Sequence, residues 1–215
     1  MDIEKKFLDH AYGYDDVSIV PGEFTINPEL ADTKFKIQEL EFDIPVLASA
    51  MDAVVSPEFA VNFNSKGGLS VLNLEGIYTK YNDYTDPLNS IISANENEST
   101  SIMQNVYSKD IDENLVAERV KEIKERSSIC AVSVTPANTK RLSPIAIEAG
   151  ADIIVVQSTV TTPRHFSKSI TGLNMSDLKK QIKIPLIVGN CVSYNVALEF
   201  MNTGVDGILV GVGPG

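Results

Sequence analysis

From residue 41 onward short apolar runs alternate with longer segments whose apolar positions recur at helical spacing, the signature of repeated βα units around a parallel sheet. The runs are IPVLAS (44–49), GLSVLN (68–73), ICAVSV (129–134), DIIVVQ (152–157), IPLIVG (184–189) and DGILVG (206–211). Between them, PEFAVNFNSKG (57–67) predicts a helix, with Pro57 suited to its first turn and Gly67 to its stop. IDENLVAERVKEIKER (111–126) places Leu115, Val116, Val120 and Ile123 on one helical stripe. PANTKRLSPIAIEAG predicts a helix despite Pro144, and MSDLKKQI and SYNVALEFMNTG predict two more. Gly67, Gly150 and Gly204 each stand just before an apolar run, where a left-handed residue lets a helix close and the chain turn. The polar, Asn-rich stretch 89–100 is expected to be a surface loop.

Residues 1–40 read differently. AYGYDDVSIVPG mixes β-branched residues with a Pro-Gly turn and INPELADTKFKIQEL is a second extended stretch, so this part is expected to be a cap segment ahead of strands one to six in residues 41–215. Six βα-type strands suit either a doubly wound sheet or a (β/α)8 barrel cut short, because a whole barrel takes eight strands and roughly 250 residues. The chain runs out in a glycine-rich loop after the sixth strand, and the expectation is a break there.

Composition narrows the function classes. Lys+Arg 18 against Asp+Glu 29 gives a net charge of -11, which argues against a nucleic-acid surface because phosphate backbones need a basic face. No apolar run approaches the ~20 residues that span a bilayer and no signal-peptide core is present at the start, so a cytoplasmic protein is expected. Cys130 and Cys191 are too few for a disulfide framework.

In a parallel sheet ligands gather beyond the C-terminal strand ends. Those ends read Ser49-Ala50-Met51-Asp52, Asn73-Leu74-Glu75-Gly76, Thr135-Pro136-Ala137, Gln157-Ser158-Thr159, Gly189-Asn190-Cys191 and Gly211-Val212-Gly213-Pro214-Gly215. GVGPG offers backbone N–H groups to a phosphate or carbonyls to a cation, or is a plain turn. It is not a dinucleotide fingerprint, which needs a third glycine and a following helix. Asn190 either fixes a ligand or caps the next helix. Met51 is a core filler or a soft support for a flat base. Cys191, with neither His10 nor His165 near it in sequence, reads as a buried, inert thiol. His165 with Arg164 in TTPRHFS is an anion contact or a solvated loop, and no cluster has the spacing of a zinc site.

Taken in order, AYGYDDVSIVPG (11–22), IPVLASAMDAVVSPEFA (44–60), GGLSVLNLEG (67–76), DIIVVQST (152–159), IPLIVGNCVS (184–193) and GVDGILVGVGPG (204–215) resemble blocks of the IMP dehydrogenase and GMP reductase family. VLNLEG, the QST strand end and GNCVSYN are most similar to the IMP dehydrogenase-related branch without CBS domains. The resemblance implies an α/β fold, a (β/α)8 TIM barrel truncated after about its sixth strand, with residues 1–215 forming the single N-terminal part. It implies an oxidoreductase that converts IMP to XMP with NAD in guanine nucleotide synthesis, through a cysteine that attacks the purine.

That cysteine is expected just beyond Gly215, leaving no catalytic residue within the chain and no turnover by the chain alone. Ser49, Met51, Asn190 and Gly211 correspond to substrate-binding positions. Gln157, Ser158 and Thr159 correspond to cofactor-binding ones, Gln157 standing where the family commonly has an aspartate. Leu209 stands where the family commonly has a basic residue. Gly213 and Gly215 correspond to glycines whose carbonyls hold a monovalent cation such as K+. A homotetramer is implied as well. The alternatives are a GMP reductase-type parent, or a noncatalytic protein that binds nucleotide or pairs with family subunits.

Overall fold

The computed structural model describes residues 12–127, 129–163 and 173–212. Its contacts divide the chain into residues 1–32 and 33–215. Within the first unit, two 3-10 turns, Tyr14–Asp16 and Pro28–Leu30, flank extended chain, and the Gly13 N–H donates to Asp16 Oδ2 at 2.8 Å.

The second unit opens with a hairpin, β1 (Phe35–Ile37) and β2 (Leu40–Phe42), paired antiparallel and turned by Gln38 at φ 51°. Then follow β3 (Leu47–Ala48), α1 (Pro57–Asn64), β4 (Leu69–Asn73), α2 (Thr85–Ile92), α3 (Ser99–Tyr107), α4 (Glu113–Arg126), β5 (Ala131–Val134), α5 (Thr139–Glu148), β6 (Ile153–Gln157), α6 (Met175–Gln181), β7 (Leu186–Cys191), α7 (Tyr194–Asn202) and β8 (Gly207–Val210). Strands β3 to β8 lie side by side in chain order and every neighbouring pair is parallel. That is the α/β barrel order, an open run of six strands without the order reversal of a doubly wound sheet.

The six apolar runs fall on the six strands, and the four residues expected on the buried stripe of α4 are the four that are buried there. Ser56, Asp112, Asn174 and Ser193 accept backbone N–H bonds at the starts of α1, α4, α6 and α7. Gly67, Gly150 and Gly204 take positive φ values of 84°, 108° and 81°, the left-handed turn that their positions require. Pro144 sits inside α5. Pro144 and Lys140, the residue whose carbonyl loses its helical partner, are both exposed.

The Asn-rich stretch is not a loop. It contains the end of α2 and the start of α3, joined by a tight turn in which Asn95 Oδ1 accepts from the N–H groups of Asn97 and Glu98. Leu88 and Ile91 from α2 and Ile102 and Val106 from α3 pack on the core. Four apolar anchors diluted among Asn, Ser and Glu suffice to hold these two helices on the core.

Side chains alternate across each strand, so the sheet has two faces with different tasks. Leu72, Val132, Ile154, Val156, Leu186 and Val188 face the helices and pack with Val116, Val120, Ile123, Leu142, Leu178 and Phe200. The opposite face carries Leu69, Val71, Ala131, Ile153, Val155 and Ile187, closed at the N-terminal end of the sheet by Phe42, with Phe35, Ile37 and Leu40 of the hairpin packed against them. Continuing the same period toward the C-terminal ends, Leu69-Val71 is followed by Asn73, Ala131 by Ser133, and Ile153-Val155 by Gln157. The inner face therefore changes from apolar to polar within one or two residues.

Candidate functional site at the C-terminal strand ends

The polar rim of the inner face encloses a cavity of about 300 Å3, lined by Ala50, Asn73, Ser133, Val134, Thr135, Gln157, Ser158, Thr159, Asn190 and Val212. Parallel register sets these residues in two steps, Gln157 standing one side-chain repeat beyond the level of Asn73 and Ser133. Asn73 is opposite Ser133, Ser133 opposite Val155, and Gln157 opposite Gly189. None of the lining side chains is charged. Such a wall suits the neutral, hydrogen-bonding part of a ligand, and the volume is at the lower end of the ~300–1,000 Å3 range of small-molecule sites.

Of the residues expected from sequence to bind substrate or cofactor, Gln157, Ser158, Thr159 and Asn190 line this cavity together. Ser49 and Met51 lie exposed just beyond β3, on either side of the lining residue Ala50. Gly211 lies beyond β8 at φ 90°, and its carbonyl accepts from Asn190 Nδ2 at 2.7 Å. Gly213, Gly215, His10, Arg164 and His165 lie outside the described residues.

Asn190 occupies a bulge. Gly189 pairs with Leu209 and Cys191 with Val210, so Asn190 is the extra residue of β7, and such bulges re-aim side chains beside functional sites. With Nδ2 committed to Gly211, its Oδ1 is buried and has no hydrogen-bond partner among the described residues. Ser193 caps α7, so Asn190 does not. A buried acceptor left open beside a cavity is suited to a ligand N–H or O–H. Ser158 is already engaged, its hydroxyl lying 2.9 Å from Val160 O and 2.8 Å from Thr161 Oγ1, itself 2.7 Å from Gly189 O, so that two hydroxyl protons are shared among three contacts. These bonds, with Asn190 N–H to Ser158 O and Thr161 N–H to Asn190 O, lock the β6 and β7 ends together.

Two carboxylates next to the cavity were not singled out by sequence reasoning. Asp52 Oδ2 accepts from Ile77 N–H and Tyr107 O–H, both at 2.7 Å, and Oδ1 from Asn73 Nδ2 at 3.3 Å. The Asp52 carbonyl accepts from Tyr78 O–H at 3.1 Å. Burial, reinforced by the Asp52 charge, pushes Tyr78 up to about 12 and raises Tyr107 further above the usual phenol range. Glu75 accepts from Thr135 N–H at 2.5 Å and from Asn138 Nδ2 at 2.6 Å. The only local signal was their place at strand ends, since their partners stand 21 to 63 residues away.

Neither thiol is part of the site. Both are buried and unpaired, and burial together with the Asp152 charge pushes Cys130 up to about 12. No group of three or more His, Cys, Asp or Glu among the described residues could hold a metal ion, and no described helix is long and apolar enough to cross a membrane.

Residues 11–215 match the model of the IMP dehydrogenase / GMP reductase domain. An uncharacterized oxidoreductase of Mycolicibacterium smegmatis is 31% identical over 207 residues, covering 94% of this chain and 55% of the relative. The inosine-5'-monophosphate dehydrogenase of Cryptosporidium parvum is 25% identical over 210 residues, 94% of this chain and 51% of its own. The crystal structure of an IMP dehydrogenase/GMP reductase-like protein from Corynebacterium glutamicum superposes with a TM-score of 0.88 at 32% identity, over 95% of this chain and 55% of the other. The chain thus spans about half the length of the relatives it matches. With its strand order, its cavity at the C-terminal strand ends and a match along nearly its whole length, the chain belongs to the IMP dehydrogenase / GMP reductase family.

Proposed function

We propose that this chain supplies a nucleotide-binding part of an oxidoreductase that converts IMP to XMP with NAD. The observation that carries the reading is the uncharged, hydrogen-bonding cavity at the strand ends of a family barrel. Its volume suits a base with its ribose rather than a whole dinucleotide. NAD, when bound, would supply the hydride acceptor. The residues present fit a nicotinamide or purine nucleoside. Gln157 offers both a donor and an acceptor, and Asn190 Oδ1 is an open acceptor for a ribose hydroxyl or a carboxamide N–H.

The role of the chain's own groups is to bind and orient. The β6 and β7 ends are tied rigidly, so that Gln157 and Asn190 keep a fixed separation while a ligand enters. A cation held by the carbonyls of Gly213 and Gly215 belongs to the same proposal. Neither Cys130 nor Cys191 is available as a nucleophile for covalent capture of the purine, since both are enclosed in the core.

Calorimetric titration of the chain with IMP, and separately with NAD, tests the reading. Saturable binding of either that weakens about tenfold in Asn190→Ala is expected, the cost of one hydrogen bond to a ligand. No binding of either nucleotide at millimolar concentration would overturn it. Tighter binding of GMP and NADPH than of IMP and NAD would instead support the GMP reductase direction.

A further inference from the structure

We propose that Asp52 is a positioning residue that sets which atoms Asn73 presents to the cavity, with Asn73 a ligand-contacting residue. The contact with ligand rests on the reading of the cavity as the nucleotide site, but the positioning does not.

A backbone N–H can only donate. The Glu75 N–H lies 3.0 Å from one terminal atom of the Asn73 side chain, so that atom is the oxygen and the other is the NH2 group. The NH2 faces Asp52 Oδ1, a carboxylate oxygen, which can only accept. The amide is therefore oriented from both ends. It keeps one N–H and one lone pair for the cavity that it lines. Without Asp52 the donor end loses its partner, and the side chain is held at its oxygen alone.

Asp52 is itself immobilised. Its other oxygen receives the first N–H of the 3-10 turn Ile77–Thr79 and the phenol at the end of α3, and its main-chain carbonyl receives Tyr78. A Cβ on Gly76 would run into the Asp52 carboxyl group, so the close approach that creates this hub requires glycine there. Glu75, whose N–H holds Asn73, holds Thr135 and Asn138 through its carboxylate, which extends the ordered wall to the end of β5.

The substitution Asp52→Asn separates positioning from support. Its single carbonyl oxygen can still receive Ile77 and Tyr107, but its new NH2 then opposes the NH2 of Asn73, donor against donor. Tyr107→Phe removes the bond from α3 and leaves the Asn73 contact intact. In 1H–15N spectra of the whole chain, with the Asn73 side-chain NH2 pair assigned by its loss in Asn73→Ala, the pair is expected to shift and exchange faster with water in Asp52→Asn. It is expected to stay in place in Tyr107→Phe. An unchanged pair in Asp52→Asn overturns the positioning role, whatever the ligand.

IMP and NAD titrations then read the ligand contact. Asp52→Asn and Asn73→Ala should each weaken whichever nucleotide binds by about tenfold, with no further loss in the double variant, and Tyr107→Phe should leave affinity unaltered even if it lowers the melting temperature. Multiplicative losses in the double variant, or equal losses in Tyr107→Phe, mean that Asp52 acts as general support and overturn the proposal. If the wild-type chain binds neither nucleotide, the ligand contact fails with the site reading, and the amide spectra still decide the positioning.

Discussion

Asp152 and Asp206 precede β6 and β8 at the N-terminal end of the sheet, whereas Asp52 and Glu75 stand beyond β3 and β4 at its C-terminal end, and the two pairs keep different company. Each of the first pair takes a lysine from a helix and a backbone N–H from the start of the preceding strand. Asp152 meets Lys124 of α4 at 2.9 Å and the Cys130 N–H at 2.7 Å. Asp206 meets Lys179 of α6 at 2.5 Å, the Leu186 N–H at 2.8 Å and the Gln38 amide at 2.7 Å. The device occurs at β5–β6 and again at β7–β8, and in each case ties strand, helix and following strand together. The second pair accepts only neutral N–H and O–H donors, with no ion pair among the described residues. One end of the sheet thus uses carboxylates to neutralise cations that hold the scaffold, and the other uses them to aim polar groups, the division expected of a barrel whose stability and chemistry sit at opposite faces.

The sharpest way to break this contrast is to remove a carboxylate at the scaffold end. Asp206→Ala strands a mostly buried lysine and a backbone N–H together, and about 3–5 kcal/mol of stability should be lost in urea denaturation. Asp152→Ala should cost less, about 2 kcal/mol, because its pair with Lys124 is more open to water. A loss below about 1 kcal/mol for Asp206→Ala would show that the lysine pairs are ornament, since that is the range of surface ion pairs.

The same contrast has a pH signature at each end. Burial would raise Asp206, but the hydrogen bonds from Lys179, Gln38 and Leu186 outweigh it and hold the carboxyl below its usual value of 3.8. The unfolded chain then binds the proton more readily than the folded one. The contribution is therefore present above the usual carboxylate range and lost as pH falls through the depressed folded value. Acid unfolding of Asp206→Asn should be correspondingly shallower than that of the parent. At the cavity end the shift has the opposite sense. Tyr78 and Tyr107 are raised, so their contribution is whole below the ordinary phenol value of 10.0 and fades as pH climbs toward 12. Absorbance at 295 nm should show a late-ionising component that shrinks in Tyr107→Phe; an unchanged late component in that variant would remove the phenol from the Asp52 hub.

What could be read from sequence follows the same line. Strands and helices with a concentrated apolar stripe, such as β6 and α4, declare themselves because burial selects residue type locally. The helices α2 and α3 did not, because Leu88, Ile91, Ile102 and Val106 are spread among residues that also suit loops, and the sheet that receives them is built elsewhere in the chain. At the site, Gln157 and Asn190 stood among the strand-end residues, and the family resemblance singled them out from that set. Asp52 and Glu75 were not singled out, since a carboxylate at a strand end reads the same whether it faces water or a tyrosine 55 residues on. The Lys124–Asp152 and Lys179–Asp206 pairs were hidden for the same reason, at separations of 28 and 27 residues.

The smallest expected effects come from two glycines. Gly204 closes α7 at φ 81°, and a Cβ placed there meets nothing within 4 Å. Gly204→Ala should therefore cost only the backbone strain of a left-handed alanine, about 1 kcal/mol, and leave ligand binding untouched. Gly76 sits at an ordinary φ of -91°, where alanine is unstrained, yet its Cβ would displace the Asp52 carboxyl group. Gly76→Ala should disturb the Asn73 amide signal, which Gly204→Ala leaves in place. If instead both substitutions lower the melting temperature alike and neither moves that signal, the cavity end is held by packing rather than by the Asp52 bonds, and the distinction between the two ends of the sheet collapses.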